Sequence, residues 1–309
     1  MPDRAHLRSL LWEELARPVP DDVRAMAATI ARRHGGGVAA VLFYGSRLRA
    51  PETAAMADLY VLVDGYRAFH GGRAAALANR VLPPTVRFLP AADGGAGFKA
   101  AVISLRQFRR RMRPDAIDTT LWARFCQPAA LAYCRDAEAR RQVVDALAAA
   151  AAAAVHWAAR LCPETTTAEE LWRTLFRRTY GAELRVEDAA RADALYAAAA
   201  ARYDALLPAV LTGDELVRSA DGTFRRVLPA PAVAAARAAW RRRRGLGKAL
   251  NLARLAKALF TFGGGIGYIV DKLERHSGRR IALTPWQRRH PLLAAPGVIA
   301  DLLRRGIIR

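Results

Sequence analysis

Two short apolar runs limit what this chain can fold into. Residues 38–44 (VAAVLFY) and 58–63 (DLYVLV) are rich in Val, Leu and Tyr. Both are too short for independent helices and read as strands. Helical stretches over 7–15 and 22–33 precede them, and the run His34 to Gly37 ends the second. A helix over 67–81 and strands over 86–89 and 98–104 are expected next, the two strands joined by a Gly-rich loop over 91–97. This alternation implies an α/β (α+β) module that closes near residue 105.

The pattern from 105 to about 207 is helical, with starts over 105–112 and 121–126. Residues 138–161 form an alanine-rich run of high helix propensity. Pro163 to Thr167 breaks it, and helices over 171–179 and 189–207 follow. Polar turns over 213–228 suit a hairpin, closed by Pro229 and Pro231. The expected division is an α/β domain over 1–105, a helical domain over 106–231 and a basic amphipathic region over 232–309. At 53% hydrophobic and 25% charged residues, the chain suits a packed protein rather than a disordered one. No strongly apolar run reaches about 18 residues, so no spanning helix is expected. The first twenty residues carry acids and lack the apolar core of a secretory signal. Cys126, Cys134 and Cys162 form no tight pair, which suggests a reducing compartment and no structural metal.

Charge is strongly uneven. The whole chain carries +21, and residues 241–309 hold 16 Lys plus Arg against 3 Asp plus Glu, or +13. Such a field attracts nucleic acid, anionic lipid or an acidic substrate, and composition does not choose among them.

Between the two strands stands Gly45-Ser46-Arg47, and Asp58 opens the second strand. Gly45 permits a tight turn. Ser46 adds a hydroxyl and a backbone N–H that can meet a phosphate. Asp58 can hold a divalent cation, and Mg²⁺ is the usual partner of a carboxylate beside substrate phosphates. Together these parts suit nucleotidyl transfer; an ordinary turn and a surface aspartate would give the same letters. Asp64 lies on the same strand face six residues on, about 20 Å away along a straight strand. It is a helix cap, a residue of a second site, or a co-ligand only if the strand bends. Lys99 is either a phosphate contact or a solvent-facing lysine, and Arg47 either a phosphate contact or one base among many.

Tyr44-Gly45-Ser46, then Met56-Ala-Asp58-Leu-Tyr-Val-Leu-Val-Asp64, then His70, resembles the Tam41 family of phosphatidate cytidylyltransferases. These are mitochondrial maintenance proteins with bacterial relatives, within the nucleotidyltransferase superfamily similar to DNA polymerase beta. The resemblance continues through Phe98-Lys99-Ala-Ala-Val-Ile-Ser104, Leu161-Cys-Pro163-Glu164 and Phe260-Thr-Phe-Gly263. It implies that CTP and phosphatidate give CDP-diacylglycerol and pyrophosphate with Mg²⁺. It further implies that Gly45 and Ser46 hold the triphosphate. Asp58 would bind the metal, Asp64 would be a matching acid, and Lys99 would sit by the substrate phosphates. His70 matches too and reads as a structural histidine. Arg47 and Ala57 depart from the family pattern. Tyr60 stands where the wider superfamily has a second carboxylate, so substrate phosphates would complete the ion's shell.

A lipid substrate gives the C-terminal region a use. Leu246, Leu250, Leu255, Leu259 and Phe260 beside Lys248, Arg254 and Lys257 suit an interfacial helix on an anionic bilayer. A core-packing helix with a wet basic face is the alternative. The expected location is cytoplasmic and peripheral, on the inner face of the membrane, with no nucleic-acid partner. Rival functions are a nucleotidyltransferase acting on RNA or a small molecule, and a catalytically inactive membrane adaptor.

Overall fold

The computed structural model describes residues 3–51, 55–91, 96–182, 189–211, 213–261, 274, 281–289 and 291–304. Helices α1 (Arg4–Leu15) and α2 (Asp21–Arg33) lead into strand β1 (Val38–Tyr44). The short α3 (Ser46–Arg49) connects it to β2 (Ala57–Val63). Next come α4 (Tyr66–His70), α5 (Arg73–Val81), β3 (Thr85–Leu89) and β4 (Phe98–Ser104). Then α6 (Leu105–Arg111), α7 (Thr120–Phe125) and β5 (Ala129–Cys134) complete a five-stranded mixed sheet of order β3-β4-β2-β1-β5. β2 and β4 run parallel, and the other neighbours are antiparallel.

The two runs that opened the sequence analysis are central strands, and both of their faces are covered, as expected of continuous apolar strands. On one face, Val41, Phe43, Leu59 and Val61 pack with Val23, Ala27 and Ile30 of α2. On the other, Leu42, Tyr60 and Ala101 join the large core shared with the helices. Two local expectations change. The single helix over 67–81 is split, because Gly71 takes φ +71° and ends α4. The sheet also draws a fifth strand from residues 129–134, inside the stretch read as helical. Its sequence, AALAYC, lacks the β-branched residues that mark strands; pairing with β1 makes it one.

Helix α8 (Ala137–Leu161) is the axis of the helical part. Asp136 caps it by accepting the Ala139 N–H at 2.7 Å. Its small side chains let neighbours approach closely, and fourteen of its residues are buried. Among the described residues it is the one helix long and apolar enough to cross a membrane, yet 67% of that stretch is buried inside the fold. Around it lie α9 (Ala168–Tyr180), α10 (Ala189–Ala197) and α11 (Ala200–Val210). The expected helix over 189–207 is thus two. A small sheet joins β6 (Thr165–Thr166), β8 (Phe224–Arg226) and β7 (Leu216–Arg218) in that order. Buried Glu14 ties the halves together. It accepts from Arg202 of α11 and from the Ala129 N–H of β5, and Arg202 also donates to the Cys126 carbonyl.

Helix α12 (Ala230–Thr261) follows, with α13 (Pro285–Arg289) and α14 (Pro291–Arg304) last. Residues 262–280 lie outside the described residues, Glu274 excepted. Two cations of α12 do not face outward as an interfacial helix requires. Arg254 donates to buried Asp118 and to the Pro83 carbonyl. Lys257 donates to the Leu82 and Pro84 carbonyls and to Thr85 Oγ1. For Arg254 the reason is Asp118, which is 5% exposed and needs charge compensation.

Burial alone would raise the Asp118 carboxyl, but Arg254 and Arg111 overcome it and hold it below the usual range. Its stabilising contribution is therefore present above about pH 4 and is lost as pH falls through the depressed value. Replacing Arg254 with Met should cost about 3 kcal/mol at pH 7. Denaturant unfolding across pH 7 to pH 3 checks this: the difference from the unmodified chain should shrink as Asp118 protonates.

Candidate active site

The β1–β2 turn is shaped by one close approach. Gly45 has φ +91°, and a Cβ placed there would lie 2.6 Å from Asp58 Oδ2. The turn therefore needs glycine for two reasons: a left-handed backbone, and a carboxylate folded against its bare Cα. Register places Tyr44 opposite Asp58, and Asp58 opposite Lys99. Directly opposed residues share a sheet face, so the three side chains form one row. Lys99 Nζ lies 3.9 Å from Asp58 Oδ1, with the side chains 29% and 26% exposed. That exposure leaves both groups reachable from solvent while partly shielding their charges.

Ser46 starts α3 directly after Gly45 and is partly buried. Its carbonyl accepts the Ala50 N–H at 2.8 Å. Gly45, Ser46, Asp58 and Lys99 are thus brought together by the register and the turn. Arg47 is turned aside, with its guanidinium 2.8 Å from Asp22 of α2; it braces the turn against that helix. Asp64 sits at the opposite end of β2, ion-paired with Arg135. Arg135 also donates to the Gly36 carbonyl at 2.7 Å. Asp64 therefore does not share an ion with Asp58, and Gly65, not Asp64, caps α4.

His70 packs behind the sheet. Its ring nitrogens meet Asn79 Nδ2 at 2.9 Å and Arg87 Nη2 at 3.0 Å. Burial, then Arg87, Lys257 and His34, pull its pKa down to about 4, so the ring is a neutral structural group at pH 7. Pro163 and Glu164 are exposed beyond α8, where the Glu164 carbonyl accepts the Arg226 N–H at 2.8 Å. They are tied to the small sheet rather than to the Asp58 row. Residues 92–95 of the Gly-rich loop and the glycines 263–267 lie outside the described residues.

The structure adds two arginines that the sequence did not single out. The Arg124 guanidinium of α7 lies 5.6 Å from the centroid of the Tyr44 ring. Arg49 of α3 reaches Gln127 Oε1 at 3.4 Å. Both belong to elements that border the row, and among 49 basic residues nothing in the letters marks them. Behind Asp58 on the same face, Tyr60 is fully buried, and burial raises its hydroxyl pKa despite the nearby cation of Arg124.

The donor set fits one divalent cation held jointly with a ligand. Asp58 offers a single carboxylate, and among the described residues no group of three His, Cys, Asp or Glu comes together. Mg²⁺ accepts such a site, taking one or two carboxylates and completing its shell with substrate phosphates and water. Comparison with protein-family models and with curated proteins finds no match.

Gly45→Ala should lower stability by about 1–3 kcal/mol, from backbone strain and from the collision with Asp58. Adding Asp58→Ala removes the carboxyl group that the new Cβ meets at 2.6 Å and leaves only the Cβ of residue 58 at 3.3 Å. Denaturant unfolding of the two single variants and the double should therefore show that the combined loss is smaller than the sum.

Proposed function

We propose that this chain is a Mg²⁺-dependent nucleotidyltransferase that moves CMP from CTP to phosphatidate, giving CDP-diacylglycerol and pyrophosphate. The observation that carries the reading is the Asp58 carboxylate, held against Gly45 and 3.9 Å from Lys99 at one end of the sheet. Nucleotidyl transfer needs a metal-ligating carboxylate and phosphate-facing cations at one point, and this row supplies both. The choice of cytidine and of a lipid acceptor rests on the resemblance carried by residues 44–46, 56–64, 70, 98–104, 161–164 and 260–263.

In the proposed reaction, a phosphate oxygen of phosphatidate attacks the α-phosphorus of CTP. A new P–O bond forms, the bond to the bridging oxygen breaks, and pyrophosphate leaves. The attacking oxygen is already anionic near neutral pH, so a strong general base is unnecessary. The demand is to align two anions and offset their repulsion. The bare Cα of Gly45 lets phosphate approach the backbone, and the Ser46 hydroxyl is available as a donor. Lys99 supplies a point charge, and Arg49 and Arg124 add positive potential at the border of the site. Asp58 would hold Mg²⁺, which when bound neutralises charge on the transferring and leaving phosphates.

The lipid would arrive from the inner face of a membrane. With Arg254 and Lys257 engaged inside the fold, the bilayer contact is assigned to exposed groups of the C-terminal helices. Leu246 and Trp286 are 42% and 55% exposed, and Arg241, Arg242 and Arg244 are exposed beside Leu246. Cations near an anionic surface and apolar groups entering it suit peripheral attachment.

The purified chain, incubated with Mg²⁺, phosphatidate vesicles and each of the four nucleoside triphosphates in turn, should form CDP-diacylglycerol from CTP. Asp58→Ala should reduce turnover at least about a hundredfold, with its circular dichroism unchanged. Full activity in that variant would remove the role given to Asp58. Nucleotide transfer to RNA in place of lipid would replace the acceptor.

A further inference from the structure

The row that carries Asp58 and Lys99 extends one strand further. Register places Phe88 of β3 directly opposite Lys99, and therefore on the same face as Lys99 and Asp58. From one margin inward, the sequence across the sheet is an aromatic ring, an ammonium, a carboxylate and the Gly45 turn. Phe88 is 43% exposed, whereas its neighbour on that face, Val86, packs against the main core.

The ring is also held in a definite place. Gly97 has φ +73°, and a Cβ there would come 2.9 Å from both Cε2 and Cζ of Phe88 and 2.8 Å from the Leu89 carbonyl oxygen. The outer edge of the ring thus lies over a backbone with no side chain. One glycine accounts for both the turn into β4 and the seat of the ring. An exposed apolar side chain needs no special explanation on its own. Here the exposed residue is aromatic, seated on glycine and in line with the phosphate-facing groups.

The geometry points to Phe88 as a stacking platform for the base of the bound nucleotide, an inference that rests on the nucleotidyl-transfer reading above. Neighbouring strands lie about 4.8 Å apart, so the backbone of Phe88 is one such step from Lys99 and two from Asp58. A nucleotide has the same order of parts: phosphates, then sugar, then a flat base. With phosphates at Asp58 and Lys99, the base reaches toward the margin of the sheet, where the ring offers a π-face. Stacking tolerates every base, because each has such a face. Phe88 therefore supplies affinity for nucleotides in general and does not select cytosine.

Calorimetric binding with Mg²⁺ tests this on the full chain, using CTP, ATP and inorganic triphosphate as probes. Phe88→Ala should weaken CTP and ATP alike, by about tenfold, and leave triphosphate, which has no base, within about twofold. Phe88→Trp should keep CTP affinity and show indole emission quenched by CTP but not by triphosphate. Unchanged CTP affinity in Phe88→Ala would overturn the platform, as would equal weakening of CTP and triphosphate. Failure of the unmodified chain to bind any of the three probes would instead overturn the nucleotidyl-transfer reading, and the platform with it.

Discussion

The parallel pairing of β2 with β4 decides where this molecule concentrates its chemistry. Two parallel neighbours require a crossover that returns the chain to the end where the first strand began. Here α4, α5 and β3 fill that return. Both strands consequently start at one margin of the sheet. Asp58 and Lys99 are each the second residue of their strand and fall side by side. The antiparallel partner β1 ends at the same margin, which delivers the Gly45 turn to Asp58. A carboxylate, an ammonium and a bare backbone turn meet because three strand ends coincide.

Much of this was legible in the letters. The short runs over 38–44 and 58–63 have the composition and length of strands, and Gly45 before Ser46 signals a tight turn. The separation of Asp58 from Asp64 follows from strand rise alone, and the structure gives Asp64 a partner of its own in Arg135. Other features depend on contacts remote in sequence. β5 is a strand because β1 offers it a ladder, not because AALAYC prefers that state. Arg47 reads in the letters as either a phosphate contact or one base among many, and the structure pairs it with Asp22, 25 residues earlier. Arg124 comes to the site on α7, a short helix in which it is the one residue of six that is not buried.

The charge excess reads differently once the cations are placed. Arg202 meets Glu14 and the Cys126 carbonyl inside the fold. Arg243 lies 4.2 Å from the centroid of the Trp157 ring and donates to the Pro114 and Ala116 carbonyls. Arg254 and Lys257 satisfy Asp118 and the turn over 82–85. Arginine suits this work because its planar, weakly hydrated fork tolerates burial beside aromatic rings and carbonyls. Part of the +21 is therefore internal mortar, and a count of basic residues overstates the field presented to a partner.

The placement of α12 along β3 has a consequence for self-association. β3 and β5 are the two margins of the main sheet. Helices α1 and α2 pack against β5, and α12 packs against β3. An open margin is a template on which another chain can add a strand, the route to swapped dimers and amyloid. Helix α12 thus doubles as a guard rail at the start of β3, where Lys257 donates to the Pro84 carbonyl and to Thr85 Oγ1, and it narrows the stretch of margin left to another chain.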